Sequence, residues 1–158
     1  MVDASIGAVG NDGTGVTGVA YGSNVRVLPV KVCGPGGCPS SAITNGITYA
    51  VDHGANVLNL SLGGRFGSTA TQQSLAYAQS RNVLPFCATG NDGAGKVSYP
   101  AAFPECVAVA ATTWSDTRAS YSNTGAEVEI AAPGGDSNAD GTGYSYILST
   151  YHDGGYVF

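Results

Sequence analysis

Charge is scarce in this chain. Only 11% of its 158 residues are Asp, Glu, Lys or Arg, and Lys plus Arg total 6. The net charge is -5 and no basic cluster exists, so nucleic-acid binding has no electrostatic footing. No apolar run approaches the length of a membrane-spanning helix, and no membrane partner is expected. The N-terminus has neither the basic nor the apolar region of a signal peptide. Histidine is rare as well. His53 and His152 lie far in sequence from most of the cysteines, which leaves a zinc site short of ligands. Low charge does not imply disorder here, because 43% of the residues are hydrophobic.

What the chain has in abundance is glycine, 24 residues in all. This suits a loop-rich globular protein with tight turns and close backbone approaches. The length suits one domain around one core. Low charge with many Gly, Ser, Thr, Asn and Tyr residues is also a common composition among secreted proteins. Cys33 and Cys38 bracket the flexible run Gly34-Pro35-Gly36-Gly37, and a local disulfide is the expectation. Half of a zinc site is the alternative. Cys87 and Cys106 are assigned to the end of one strand and the start of the next. In parallel strands those ends lie on opposite edges of the sheet, so two separate buried thiols are expected.

Hydrophobic patterning divides the chain into alternating elements. Val25 to Val32 is rich in β-branched residues and is expected to form a strand. Ser40 or Ser41 can cap a helix carrying Ile43, Ile47, Ala50 and Val51 and ending at Gly54. Asn56 to Ser61 is a second strand, stopped by Gly63-Gly64. Thr69 to Arg81 is a second helix, broken at Asn82. Val83 to Ala88, Cys106 to Ala111 and Val128 to Ala131 are three further strands, and Gly134 to Gly143 is a surface loop. Alternation at this spacing is the pattern of crossovers in a parallel α/β sheet.

Ligands of open α/β sheets sit beyond the carboxyl ends of the strands. Two predicted strands end there in polar, glycine-rich turns: Ser61-Leu62-Gly63-Gly64 and Ala88-Thr89-Gly90-Asn91. The first can offer backbone groups to an extended peptide. The second can aim the Asn91 amide at a developing oxyanion, although an isolated G-N-D-G also suits an ordinary turn.

"GVTGVA", "VLNLSLGG", "ATGN", "SYPAAFPECVAVAAT" and "RASYSNTGAEVEIAAPG" together resemble the subtilisin-like serine proteases, the subtilases, over almost the whole chain. The resemblance implies an α/β, subtilisin-like three-layer fold with a mostly parallel sheet and flanking helices, truncated at both ends. Residues 1–158 would form one partial catalytic domain. It implies Asn91 as the oxyanion-hole residue and Ser61, Leu62 and Gly63, followed by Gly64, as the strand that pairs with substrate. Ala88, Thr89 and Gly90 would form a wall of the S1 pocket, with Asp92 near its mouth. It also implies a cis bond at Tyr99-Pro100 and a peptide or protein substrate. Asn11 to Val16 has a plain turn reading. By the resemblance it is similar to a calcium loop, with Gly10 (or Val9), Asp12, Thr14 and Val16 as oxygen donors and a further carboxylate from N-terminal sequence not present here.

The departure from the family is as informative. Subtilases use a Ser-His-Asp triad. Met1 to Ser5 occupy the place of the family's H-G-T-H segment and hold no histidine, and no G-T-S-M-A motif occurs. Asp52 and His53 are neighbours on a helix and point to different faces, so they make no triad pair. His53 suits a helix C-terminus, and His152-Asp153 suit a surface loop. The expectation is the central part of a secreted serine endopeptidase, inactive alone and paired with a complementing fragment or with itself. Rival readings are an inert peptide-binding module and an esterase using Ser61 or Ser98.

Overall fold

A computed structural model describes residues 2–137, 146–151 and 155–157. Among these residues three helices and six strands follow in the order α1 (Val2–Gly7), α2 (Ser40–Asp52), β1 (Val57–Leu60), α3 (Thr69–Ser80), β2 (Leu84–Ala88), β3 (Val107–Thr112), β4 (Val128–Pro133), β5 (Ser149–Thr150) and β6 (Tyr156–Val157). Strands β1 to β4 make one parallel sheet in sequential order, and β5 and β6 form a small antiparallel pair. The α/β expectation is therefore met.

Register sorts the side chains. Val57 stands beside Leu84, Asn59 beside Phe86, and Phe86 beside Val107, all on one face. Leu58, Leu60, Pro85, Cys87 and Ala108 alternate onto the other face, where all are buried. On that face α2 and α3 pack against each other and supply Ile47, Ala50, Val51, Leu75 and Ala78 to the same core. The first face has no such cover among the described residues. Val57 is 57% exposed, Leu84 42% and Ile130 46%.

Local signals set the helix ends. Asn82, at φ 60°, turns the chain out of α3, and Gly54, at φ 83°, does so after α2. His53 closes α2. Its Nδ1 donates to the Tyr49 carbonyl at 2.8 Å and its ring stacks on Tyr49 at 3.8 Å. The start of α2 differs from expectation. Pro39 is the N-cap, no side chain caps the helix, and Ser40 is already inside its first turn.

Val25 to Val32 forms no strand and joins no ladder among the described residues. Its Val30 and Val32 side chains pack instead on the helix face at Gly46, which a Cβ there would strike at 3.2 and 2.4 Å. β-Branched composition reports a fit to a pleated surface and not the presence of a partner strand. Cys33 and Cys38 are bonded as expected. Cys87 and Cys106 are bonded too, with Cα atoms 5.9 Å apart, which corrects the expectation of two thiols. The reason is stagger. Val107, the first residue of β3, pairs with Phe86, the third residue of β2, so Cys106 enters the sheet diagonal to Cys87 and on its face. Tyr99-Pro100 is cis.

Leu75 is fully buried and Phe66 is 90% exposed. Leu75→Ala is expected to lower stability by about 2–5 kcal/mol. Phe66→Ala should stay within about 0.5 kcal/mol. Chemical denaturation of the two variants checks the contrast, and equal effects would contradict this core.

Candidate active site

The carboxyl ends of β1 to β4 open into a cavity of about 620 Å3. Ser61 bounds it from β1, Ala88 to Asn91 from β2, Val109 to Ala111 from β3, and Ala132 to Gly134 from β4, with Tyr121, Ser122 and Tyr146 completing the wall. Parallel strands bring these segments to one edge because every strand runs the same way. Burial of the Tyr121 ring, then the nearby Tyr146 and Asp136, hold the Tyr121 phenol above its ordinary range, so it stays protonated. Asp136 is itself buried and accepts from the Ser120 amide.

The segment after β2 is shaped by glycine. Gly90 has φ +105°, and a Cβ on it would stand 2.5 Å from both Asn123 Nδ2 and Ser98 Oγ. Both the backbone conformation and the space admit only glycine there. The chain then turns outward, and Asn91 and Asp92 are exposed. No hydrogen bond engages the Asn91 carboxamide among the described residues, so it remains available to a ligand.

Bonds to the 119–125 segment hold this turn. Gly93 N donates to Tyr121 O at 2.7 Å, Asn123 N to Gly90 O at 3.0 Å and Thr124 N to Ala94 O at 2.8 Å. Below the turn lies the Asn123 side chain, 1% exposed. Its Oδ1 accepts from Asp92 N at 2.9 Å and Ala94 N at 3.0 Å, and its Nδ2 donates to Thr89 O at 3.1 Å and Ser98 Oγ at 3.3 Å. Sequence reasoning passed over Asn123. It sits 31 residues beyond Asp92, and nothing local marks it.

The sequence-derived site residues divide. Ser61, Ala88, Thr89, Gly90 and Asn91 share the cavity, whereas Leu62, Gly63, Gly64 and Asp92 do not line it. Leu62 packs partly against the core. Gly64 exchanges both backbone bonds with Tyr99, at 2.9 Å each. Ser98 stands behind Gly63, where a Cβ would meet it at 3.3 Å, so the absence of a side chain at Gly63 lets the two segments lie close together. Neither serine is poised as a nucleophile. Ser61 Oγ accepts from Asn59 Nδ2 at 2.9 Å and Ser98 Oγ accepts from Asn123. Among the described residues no histidine or carboxylate is bonded to either. His152 and Asp153 lie outside the described residues.

This chain matches the model of the subtilase family over residues 2–156. The chain belongs to the subtilase family. It is 39% identical to thermitase of Thermoactinomyces vulgaris over 145 residues, covering 91% of this chain and 48% of thermitase. It is 43% identical to subtilisin Savinase of Lederbergia lenta over 125 residues, covering 78% of this chain and 46% of Savinase. Among solved structures, a protease from Pseudoalteromonas arctica PAMC 21717 superposes with a TM-score of 0.86 at 35% identity, covering 97% of this chain and 48% of that one. This subtilase segment thus spans about half the length of thermitase and Savinase.

The turn proposed to hold calcium lies elsewhere, between α1 and α2. Asn11, Gly13 and Gly15 have φ of 60°, 78° and 71°, and Asp12 Oδ1 accepts from Thr14 N at 3.1 Å. The carbonyls of Gly10, Thr14 and Val16 accept no hydrogen bond among the described residues. These carbonyls and the Asp12 carboxylate offer oxygens only. This suits calcium in kind, but is short of the roughly six to eight oxygens it takes.

Gly90→Ala is expected to destabilise the protein by about 1–3 kcal/mol through strain and crowding. At Gly95 an added Cβ meets nothing within 4 Å, and Gly95→Ala should change stability by less than about 0.5 kcal/mol. Denaturation midpoints of the two variants measure the difference.

Proposed function

We propose that this segment supplies the oxyanion donor and part of the substrate groove of a secreted subtilisin-like serine endopeptidase. The observation that carries the reading is the Asn91 carboxamide. It is exposed at the carboxyl end of β2, without an intramolecular partner among the described residues, beside a cavity it shares with Ser61. A peptide substrate would lie extended along Ser61 to Gly63, bonding to the backbone there, with one side chain against the wall formed by Ala88, Thr89 and Gly90. Attack by a serine hydroxyl on the scissile carbonyl turns its oxygen into an oxyanion. The Asn91 N–H then donates to that oxygen more strongly than to the ground-state carbonyl, which lowers the barrier. The nucleophile, its histidine base and the orienting aspartate are not among the motifs of these 158 residues, so this segment alone is inactive by the family mechanism. Gly10, Asp12, Thr14 and Val16 are the proposed donors to a structural calcium, completed by a further carboxylate. Two disulfides suit an oxidising, extracellular location.

A fluorophosphonate probe and a fluorescent peptide test the reading on the purified 158-residue chain. Neither labelling nor tight peptide binding is expected. Labelling would replace the proposal with an esterase using its own serine, and peptide binding without labelling would replace it with a binding module. With the triad-bearing segments restored on both sides, Asn91→Ala is expected to cost about 3–4 kcal/mol of transition-state stabilisation. A fall in kcat of less than about threefold would remove Asn91 from the oxyanion role.

The proposal extends to partners. The sheet face bearing Val57, Leu84 and Ile130 is exposed, as are Val25 and Leu28. Each such side chain left uncovered forgoes about 1.5–3 kcal/mol, against a net domain stability of about 5–15 kcal/mol. The isolated chain is expected to be marginally stable, to self-associate or to need a complementing fragment. Sedimentation with a denaturation curve measures this. A stable monomer with a sharp two-state transition would contradict it.

A further inference from the structure

We infer that Asn123 is the positioning residue of the oxyanion turn, a side-chain clamp that sets where Asn91 points. The inference rests on the reading of Asn91 as the oxyanion donor, but the clamp itself is a matter of geometry in this chain.

A carboxamide has two acceptor lone pairs and two donor hydrogens. Asn123 uses all four. Its Oδ1 takes the amides of Asp92 and Ala94, and its Nδ2 serves the Thr89 carbonyl and the Ser98 hydroxyl. Its own backbone N–H holds the Gly90 carbonyl. The two neighbours of Asn91 are therefore both tied to Asn123, Gly90 through its oxygen and Asp92 through its nitrogen. Asn91 sits between the two tethers and is left unbonded among the described residues. A residue held on either side has little freedom to rotate its backbone, so its Cα–Cβ bond leaves the turn in one direction and only the side-chain torsions stay open. That is what preorganisation of an oxyanion donor needs, because a donor that must reorient during the reaction loses much of its effect.

The network also explains why the residue is an asparagine. Two N–H groups on one side demand an acceptor, and the Thr89 carbonyl on the other demands a donor. Aspartate offers the acceptors but, when ionised, sets oxygen against the Thr89 carbonyl. Leucine fills the volume and leaves two N–H groups and one carbonyl without partners in a buried place. Alanine does the same and adds a void. The Ser98 bond extends the clamp to the groove. Ser98 Oγ faces Gly90 and its Cβ backs Gly63. One side chain thereby links the oxyanion turn, through Ser98, to the segment that follows Ser61.

Amide hydrogen exchange of the whole chain, read residue by residue, tests the clamp in Asn123→Ala and Asn123→Asp. In Asn123→Ala the Asp92 and Ala94 amides are expected to exchange at least about tenfold faster, while Ala108 in the core stays within about twofold. The Asn91 side-chain NH2 resonances should broaden or split as its orientation is released. In Asn123→Asp the retained carboxylate oxygen is expected to keep Asp92 and Ala94 within about threefold of the parent chain, a rescue that volume alone would not produce. Unchanged protection of Asp92 and Ala94 in the alanine variant would overturn the inference. So would an acceleration shared equally by Ala108, which marks general loosening. If the alanine variant does not fold, Asn123→Ser, whose hydroxyl is too short to serve both amides, is read in its place with the same thresholds at Asp92, Ala94 and Ala108. None of these readouts depends on catalysis. Failure of Asn91→Ala to slow a restored enzyme would remove the oxyanion reading and leave the clamp standing.

Discussion

The parallel register of β1, β2 and β3 is the constraint from which the rest follows. With Leu60 beside Cys87 and Cys87 beside Ala108, one face of the sheet becomes a continuous apolar surface for α2 and α3. Sliding any strand by one residue would turn these side chains to the opposite face and expose the core. The same register decides what happens one step later along each strand. Ser61 follows Leu60, Ala88 follows Cys87, and both arrive together at the carboxyl edge. Core packing and site assembly are thus one event.

At that edge the chain exchanges regularity for fixed polar contacts. Beyond β2 the ladder ends, and backbone groups that a strand would have paired need other partners. The 119–125 segment provides them, partly through its own backbone and partly through Asn123. The result is an irregular turn held firmly enough to project one polar side chain without engaging it. Gly90 permits the close approach on which this depends, since any side chain would collide with the groups that form the clamp. At β1 a different solution appears. Gly64 pairs with Tyr99, so the groove strand is anchored just past the residues proposed to meet a peptide.

One face of the sheet is well served and the other is not. The disulfide between Cys87 and Cys106 lies on the served face, joined to the buried cluster. Val57, Leu84 and Ile130 on the opposite face are the side chains a third layer would cover in a three-layer α/β architecture. The chain spans about half of its relatives, and the layer that its sheet calls for is not supplied by the described residues.

Much of this was legible in the amino-acid order. Helical spacing located α2 and α3, β-branched runs located β1 to β4 within one or two residues, and Asn82 and Gly54 marked helix ends, because each of these rests on local backbone preference. The Gly90-Asn91 turn was legible as a glycine-dependent break after an apolar strand. What stayed hidden required knowing who stands beside whom. Val25 to Val32 has the composition of a strand but lacks a partner strand among the described residues, and composition carries no information about partners. Cys87 and Cys106 bond because β3 enters the sheet two residues late relative to β2, a stagger set by packing. Gly64 is bonded through its backbone to Tyr99, which a distant segment brings in. Asn123 is the clearest case. By itself the sequence determined that Asn91 would end a strand among glycines. Only the tertiary structure decided that a residue more than thirty positions away would hold it there, because a hydrogen bond depends on distance in space and not on separation along the chain.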